Sequence, residues 1–259
     1  MEDNRLIFEE GVWVSEQARQ RFGAFEDTYL EARRKEQRVL SIEEIRKLPD
    51  VPGDYIHARE WALRRSSIHR LMEHIGTSLP AGARILDVGC GNGFLAKLLS
   101  RFGPVAGADV NLFELKQASR AFGDHPQLQW YYTDITDRSV FAEGQFDLIT
   151  FCSSFQYFPD VQQVVDTCLY YLAPGGRILI TDTPFYPKEA LGEAKNRSRA
   201  YYKTLGVDAL AQHYFHHSLD AFSPYRHRVI RSKRGLLDRI FSKDKSPFPL
   251  VELTKPEGK

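Results

Sequence analysis

The chain has 259 residues, with 35 Lys plus Arg against 34 Asp plus Glu, a formal net charge of +1, 42% apolar residues and 27% charged ones. These proportions are those of an ordinary globular domain; they exclude a fibrous or wholly disordered chain and the strongly basic balance of many nucleic-acid binders. At this length one large domain, or one domain with an extension, is expected to bury ~70–75% of its unfolded surface without staples.

Three separate cysteines, Cys90, Cys152 and Cys168, contain no Cys-x-x-Cys pair. They exclude a disulfide framework and a zinc knuckle, and they suit a reducing cytosol. The charged start, Met1-Glu-Asp-Asn-Arg5, has no apolar core behind it and does not read as a signal peptide. No apolar run approaches the ~18 residues of a spanning helix, so a cytoplasmic protein with no membrane span and no metal site is expected.

In chain order, residues 1–80 read as helices joined by short breaks, an amino-terminal extension or cap to a unit over 81–259. Ser41-Ile-Glu-Glu44 is a capping box, and its helix stops near Leu48 because Pro49, Pro52 and Gly53 follow. A longer helix is predicted over 57–75, where Trp61, Ile68, Met72 and Ile75 make one apolar face and Gly76 supplies the stop. Such a helix either covers the main domain or closes an active site.

From 81 to 183, short apolar runs at 85–88, 105–109, 128–132, 146–151 and 177–181 alternate with helical patterns at 94–101, 112–122 and 161–172. This predicts an α/β fold, a doubly wound and mainly parallel sheet, Rossmann-like, buried on both faces. Beyond it, 188–215 reads as helical. Strands at 225–231 and 248–253, with a short helix over 235–241 between them, suit an antiparallel edge.

The chemistry concentrates in Ile85-Leu-Asp-Val-Gly-Cys-Gly-Asn-Gly-Phe94. An apolar strand runs into glycines at 89, 91 and 93, around Cys90, before a helix; bare backbone there turns sharply and approaches a ligand closely. The dinucleotide fingerprint would need glycine where Phe94 stands, and no Gly-Lys-Ser/Thr of a P-loop follows. Asp109 ends the second strand ahead of Val110, about 20 residues on, where a carboxylate can accept both ribose hydroxyls; as a plain alternative it caps the next helix. Asp134 and Ile135 end the third strand, suited to an adenine amino group and ring, and Asp134 serves equally well as a loop cap. Asp87, inside the first strand, either touches a ligand or holds the glycine loop, since an uncompensated buried carboxylate is costly.

The ordered set Asp87-x-Gly89-x-Gly91-x-Gly93, Asp109, Asp134, the run from Phe146 to Ser154 and Leu172-Ala-Pro-Gly-Gly-Arg-Ile-Leu179 resembles the class I S-adenosylmethionine-dependent methyltransferases of small-molecule type. The resemblance implies a seven-stranded sheet with a reversed last strand. It also implies S-adenosyl-L-methionine as cofactor and S-adenosyl-L-homocysteine as product. The glycine loop and Asp87 would contact the methionine portion, Asp109 the ribose and Asp134 with Ile135 the adenine; Phe151 and Ser153 would line the cleft.

A methyl on a sulfonium is already electrophilic, so the protein needs chiefly to position an acceptor and exclude water. A base is required only where the acceptor must lose a proton. Candidates for acceptor contacts are Tyr157, which orients a substrate or merely packs, and His213, His216 and His217, whose spacing equally fits a solvated helix face. Tyr201, Tyr202, Trp61, Arg64 and Arg65 are further cleft candidates, an arginine suiting the methionine carboxylate.

Residues 226–245 carry eight basic side chains against Asp238 and Asp244. They fit an anionic substrate, an acidic lipid surface or RNA, or simply a solvated face. The near-neutral charge, and Cys152-Ser-Ser-Phe155 in place of an Asn/Asp-Pro-Pro-Tyr/Phe tetrapeptide, argue against nucleic-acid base methylation. The expected function is methyl transfer to an oxygen, nitrogen or carbon of a small molecule. The alternatives are an RNA or protein acceptor reached through the basic stretch, and a cofactor-binding module without catalysis.

Overall fold

The structure, a computed structural model, describes residues 6–230 and 246–256. Its centre is a mixed sheet whose five middle strands are β5 (Leu128–Tyr132), β4 (Val105–Asp109), β3 (Ile85–Val88), β6 (Phe146–Cys152) and β7 (Leu172–Thr181), all parallel and in that spatial order. Crossover helices α4 (Phe94–Leu99), α5 (Leu112–Phe122) and α6 (Val161–Tyr171) link them.

Strand order reverses at β3, between β4 and β6, which opens a crevice at the carboxyl ends of the strands. Open α/β sheets bind ligands at this topological switch point. The sheet is buried on both faces, as its apolar strands require. Ile85 packs with Leu95, Leu99, Leu115 and the α3 (Ala58–Gly76) residues Ile68, Leu71 and Ile75 on one side. Leu86 and Val88 pack with Val164, Val165 and Cys168 of α6 on the other.

The late strands β8 (His227–Ile230) and β9 (Leu250–Thr254) form the expected antiparallel edge, with β9 running against β7. Glu252 of β9 is buried but satisfied, because His74 and Arg228 meet its carboxylate at 2.7 Å each. The short helix expected over 235–241, and the basic stretch except Arg226 and Arg228, lie outside the described residues.

Two expectations are corrected. The amino-terminal stretch is not all helical: β1 (Leu6–Glu9) and β2 (Val12–Ser15) form a hairpin turning at Glu10 and Gly11, both with positive φ, and β2 joins β5 in parallel. The sheet therefore has nine strands among the described residues, not seven. The helices α1 (Glu16–Lys35), α2 (Ile42–Lys47) and α3 follow. The capping box at Ser41 and Glu44 is present, and Ser15 caps α1 by accepting from the Ala18 N–H at 3.2 Å.

The second correction concerns 188–215. Its regular helix is α7 (Leu191–Thr204); a 3-10 turn at Asp208–His213 follows, and the chain is extended from Tyr214. Backbone pairing explains the change. The Phe215 N–H donates to the Gln156 carbonyl at 2.7 Å, and the Tyr186 N–H donates to that of His217 at 2.9 Å. The three histidines do not share a helix face.

Candidate active site

The glycine loop is fixed by what surrounds each glycine. Gly89, Gly91 and Gly93 all have left-handed φ, of 68°, 51° and 77°. A side chain at Gly89 would overlap Ser154, whose hydroxyl donates to the Val88 carbonyl at 2.6 Å. Gly93 plays a different part. A Cβ there would lie 2.5 Å from the Trp130 ring, so this glycine makes room for a core tryptophan rather than for a ligand.

Asp109, at the tip of β4, holds the loop in place. Its Oδ2 accepts from the Gly91 N–H at 2.8 Å and its Oδ1 from that of Asn111 at 3.0 Å. A carboxylate has about four lone-pair positions; the backbone N–H groups of Gly91, Val110 and Asn111 occupy three, and one remains for a ligand hydroxyl. Both roles open to Asp109, cap and ligand acceptor, are thus compatible. Burial pushes its carboxyl up to about 6 against three backbone hydrogen bonds that lower it.

Asp87 is 1% exposed; its Oδ1 accepts from Thr150 Oγ1 at 2.8 Å, while its Oδ2 has no partner among the described residues. Desolvation raises its carboxyl to about 7. Asp134 is more fully committed than the sequence suggested, since Thr136 donates twice to its Oδ1, at 2.9 and 2.8 Å, and Arg21 of α1 pairs with its Oδ2. It caps its own loop and ties down α1.

Two cavities meet across this loop. One, of about 580 Å³, is lined by Asp109, Val110, Asp134 and Ile135 under Phe22 and Phe25 of α1. The other, of about 480 Å³, is bordered by Asp87 and Cys90 and walled by aromatic and charged side chains, among them Trp61, Arg33, Glu60, Arg64, Tyr201 and Tyr202. Tyr29, Gly89, Gly91, Glu114, Ser153 and Tyr157 line both.

Ion pairs order the second cavity. Arg33 Nη2 donates to the Tyr157 hydroxyl at 3.0 Å and its Nη1 to Glu36 at 2.7 Å, with the guanidinium over the Tyr29 ring. Arg38 grips Glu60 at 2.8 and 2.5 Å. Arg64 bridges two strand tips, donating to Asp182 Oδ2 at 2.7 Å and to Ser153 Oγ at 3.0 Å. Ser153 and Asp182 both have left-handed φ, of 57° and 52°, strain that non-glycine residues carry chiefly at functional tips.

The structure thus brings together Asp87, Gly89, Cys90, Gly91, Asp109, Val110, Asp134, Ile135, Ser153 and Tyr157. It does not bring Phe151, which is fully buried against Phe155 and Phe158, nor Gly93. Of the three candidate histidines, only His213 borders either of these cavities, beside Phe25. His216 bonds to Ser198 at 2.9 Å, and His217 is buried behind Phe155. Arg65 points to Asp50, away from the cleft, whereas Arg64 and Trp61 line it.

Sequence reasoning missed Tyr29 and Arg33 of α1 and Glu114 of α5. The first two carried a signal: Phe22, Phe25, Tyr29 and Ala32 recur at helical spacing, as one face of a helix does.

Residues 86–180 match the family described as "Methyltransferase domain". The ubiquinone biosynthesis O-methyltransferase of Psychrobacter arcticus is 35% identical over 115 residues, 43% of this chain and 45% of that protein. Its counterpart in Xylella fastidiosa is 34% identical over 113 residues, covering 42% and 46%. The chain therefore spans somewhat under half the length of these curated relatives.

Among solved structures, the YcgJ protein from Bacillus subtilis superposes with a TM-score of 0.56 at 19% identity, covering 73% of this chain and 99% of that one. Geranyl diphosphate C-methyltransferase from Streptomyces coelicolor gives 0.55 at 15%, covering 80% and 86%. Family match, strand order and glycine loop agree that residues 86–180 are similar to a methyltransferase domain and share its fold.

Proposed function

We propose that the protein transfers a methyl group from S-adenosyl-L-methionine to a small-molecule acceptor and releases S-adenosyl-L-homocysteine. One observation carries this reading: two cavities of different chemistry share a wall at the glycine loop. A donor and an acceptor need such an arrangement to meet with water excluded.

The residues present fit the cofactor. Asp109 keeps an acceptor position toward the first cavity, Val110 and Ile135 offer apolar contact there, and the loop backbone at Gly89 and Gly91 borders both cavities. Asp87 borders the second cavity, and its Oδ2, buried without a partner among the described residues, places an acidic group beside it. When bound, the cofactor supplies an electrophilic methyl carbon. The chain's own residues bind, orient and enclose: α1 roofs the site through Tyr29 and Arg33, and α3 reaches it through Trp61 and Arg64.

Positioning of this kind is worth ~7–11 kcal/mol. The Tyr157 hydroxyl accepts from Arg33, which leaves its own hydrogen free to donate into the cavity. Burial, the larger influence, raises this phenol, and the Arg33 charge opposes it; Tyr157 is thus a neutral donor that orients an acceptor rather than a base.

The relatives' printed activity, O-methylation, supports an oxygen acceptor. A cytoplasmic location completes the reading, supported by three cysteines that are all free thiols. No helix among the described residues is long and apolar enough to cross a membrane.

Incubation with methyl-labelled cofactor and a metabolite extract tests the proposal. Label is expected in a small molecule. Label appearing only in RNA or protein, or in nothing while the cofactor binds, rejects it.

A further inference from the structure

We propose that Glu114 is the group by which the site tells its positively charged donor from the neutral product. This rests on the reading above. Glu114 stands in the first turn of α5, and its carboxylate hangs over the glycine loop: a Cβ built on Gly91 would lie 3.0 Å from its Oε2. It borders both cavities and so stands at their junction, where the donor's sulfonium has to meet the acceptor.

The charged groups facing Glu114 are Asp109 from β4, Glu26 and Arg33 from α1, and Arg64 from α3. Both arginines are already engaged, Arg33 by Glu36 and Tyr157, Arg64 by Asp182, Ser153 and Glu60. Among the described residues no hydrogen bond or ion pair reaches the Glu114 carboxylate. Independently, Asp87 borders the second cavity, and its buried Oδ2 lacks a partner among the described residues. The junction therefore holds carboxylate charge that the protein does not neutralise, a costly state unless a ligand brings a cation.

A sulfonium brings that cation, and a thioether does not. Once the methyl has left, the carboxylate faces neutral sulfur, so the product is held less tightly than the donor and leaves. Burial first, then the Asp109 charge, raises the Glu114 carboxyl to about 7. Above that pH the group is charged and prefers the donor; below it the proton replaces the donor's charge and the preference fades.

Calorimetric titration of S-adenosylmethionine and S-adenosylhomocysteine at about pH 6 and about pH 8 tests this in the unaltered protein and in Glu114→Gln. The donor-to-product affinity ratio is expected to rise about tenfold between the two pH values in the unaltered protein. Glu114→Gln should flatten that rise while leaving product affinity within about threefold. The substitution separates Glu114 from Asp87 and Asp109, which titrate nearby. Equal weakening of both ligands would put Glu114 on the amino group they share and overturn the assignment. A ratio indifferent to both pH and substitution does the same. Failure of the unaltered protein to bind either ligand removes the proposed function itself and this inference with it. Since the pH series needs no variant, a poorly folding Glu114→Gln leaves the test intact.

Discussion

Asp109 shows how one carboxylate serves structure and binding together. It caps the loop through Gly91 and Asn111 and still offers a lone pair. Asp109→Ala should weaken S-adenosylhomocysteine binding by at least ~2 kcal/mol, about 30-fold, because a buried ligand hydroxyl loses a charged acceptor. Unchanged calorimetric affinity rejects the ribose assignment. Gly89 is the second sensitive position. A methyl group there meets Ser154 at a φ of 68°, so Gly89→Ala should cost about 1–3 kcal/mol of folding stability and abolish cofactor binding; a variant with the parent's melting temperature and affinity contradicts this. The spacing of the loop and of Asp109 was legible in the sequence because strand, turn and helix fix those positions locally. The differing parts played by Gly89 and Gly93 were not, since they depend on Ser154 and Trp130, distant in the chain. Phe151 misled for a related reason: side chains alternate along a strand, and in this register Phe151 faces the aromatic core while its neighbour Cys152 lines the second cavity, with Ser153 brought there by its left-handed backbone just past the strand.

At the scale of elements, α1 decides whether the site is closed. Its aromatic face covers the first cavity, and Arg21 and Arg33 fasten it to Asp134 and Tyr157 across the crevice. Arg33→Ala removes the latter tie and leaves Glu36 and Tyr157 without their shared cation. Faster amide exchange along α1 is expected, together with roughly 10-fold weaker cofactor binding, as befits the loss of a buried charge-assisted contact of about 1.5–3 kcal/mol. Exchange confined to its parent rate shows instead that the aromatic packing alone holds the helix. The helices with strong local signals, α2 with its capping box and α5 with its Asn111 cap, match the sequence reading closely. The hairpin of β1 and β2 did not show, because its strands have four residues each and gain stability from pairing with β5, far along the chain. The Glu10-Gly11 turn between apolar runs was the available clue. The histidine segment failed as a helix because Gln156 and Tyr186 offered its backbone better partners than its own preceding turn.

For the molecule as a whole, the cleft's chemistry sets a pH dependence opposite to that of its ion-paired carboxylates. Asp87, Asp109 and Glu114 have carboxyls raised to about 7, 6 and 7, chiefly by burial. The folded state therefore holds protons that the unfolded chain has released by about pH 5. Their contribution to stability is complete below the unfolded pKa values near 4 and is lost as pH rises through about 6–7. Ion-paired carboxylates act in reverse. Asp147, held low by Arg84, and Glu252, held low by Arg228 and His74 against its own burial, stabilise the fold above pH ~4 and fail below it. The ligand-free protein should consequently be most stable near pH ~5. By pH ~8 it should lose on the order of 2–4 kcal/mol, less than the sum of three separate shifts because the three acids repel one another. A cation bound at the junction relieves that repulsion. S-adenosylmethionine should therefore raise the melting temperature more at pH ~8 than at pH ~5, while S-adenosylhomocysteine shows a smaller pH difference. Thermal denaturation across that range, with and without each ligand, decides the matter: a ligand-free protein as stable at pH ~8 as at pH ~5 means the cleft carboxylates are paired in solution, and the charge argument for the site falls with them.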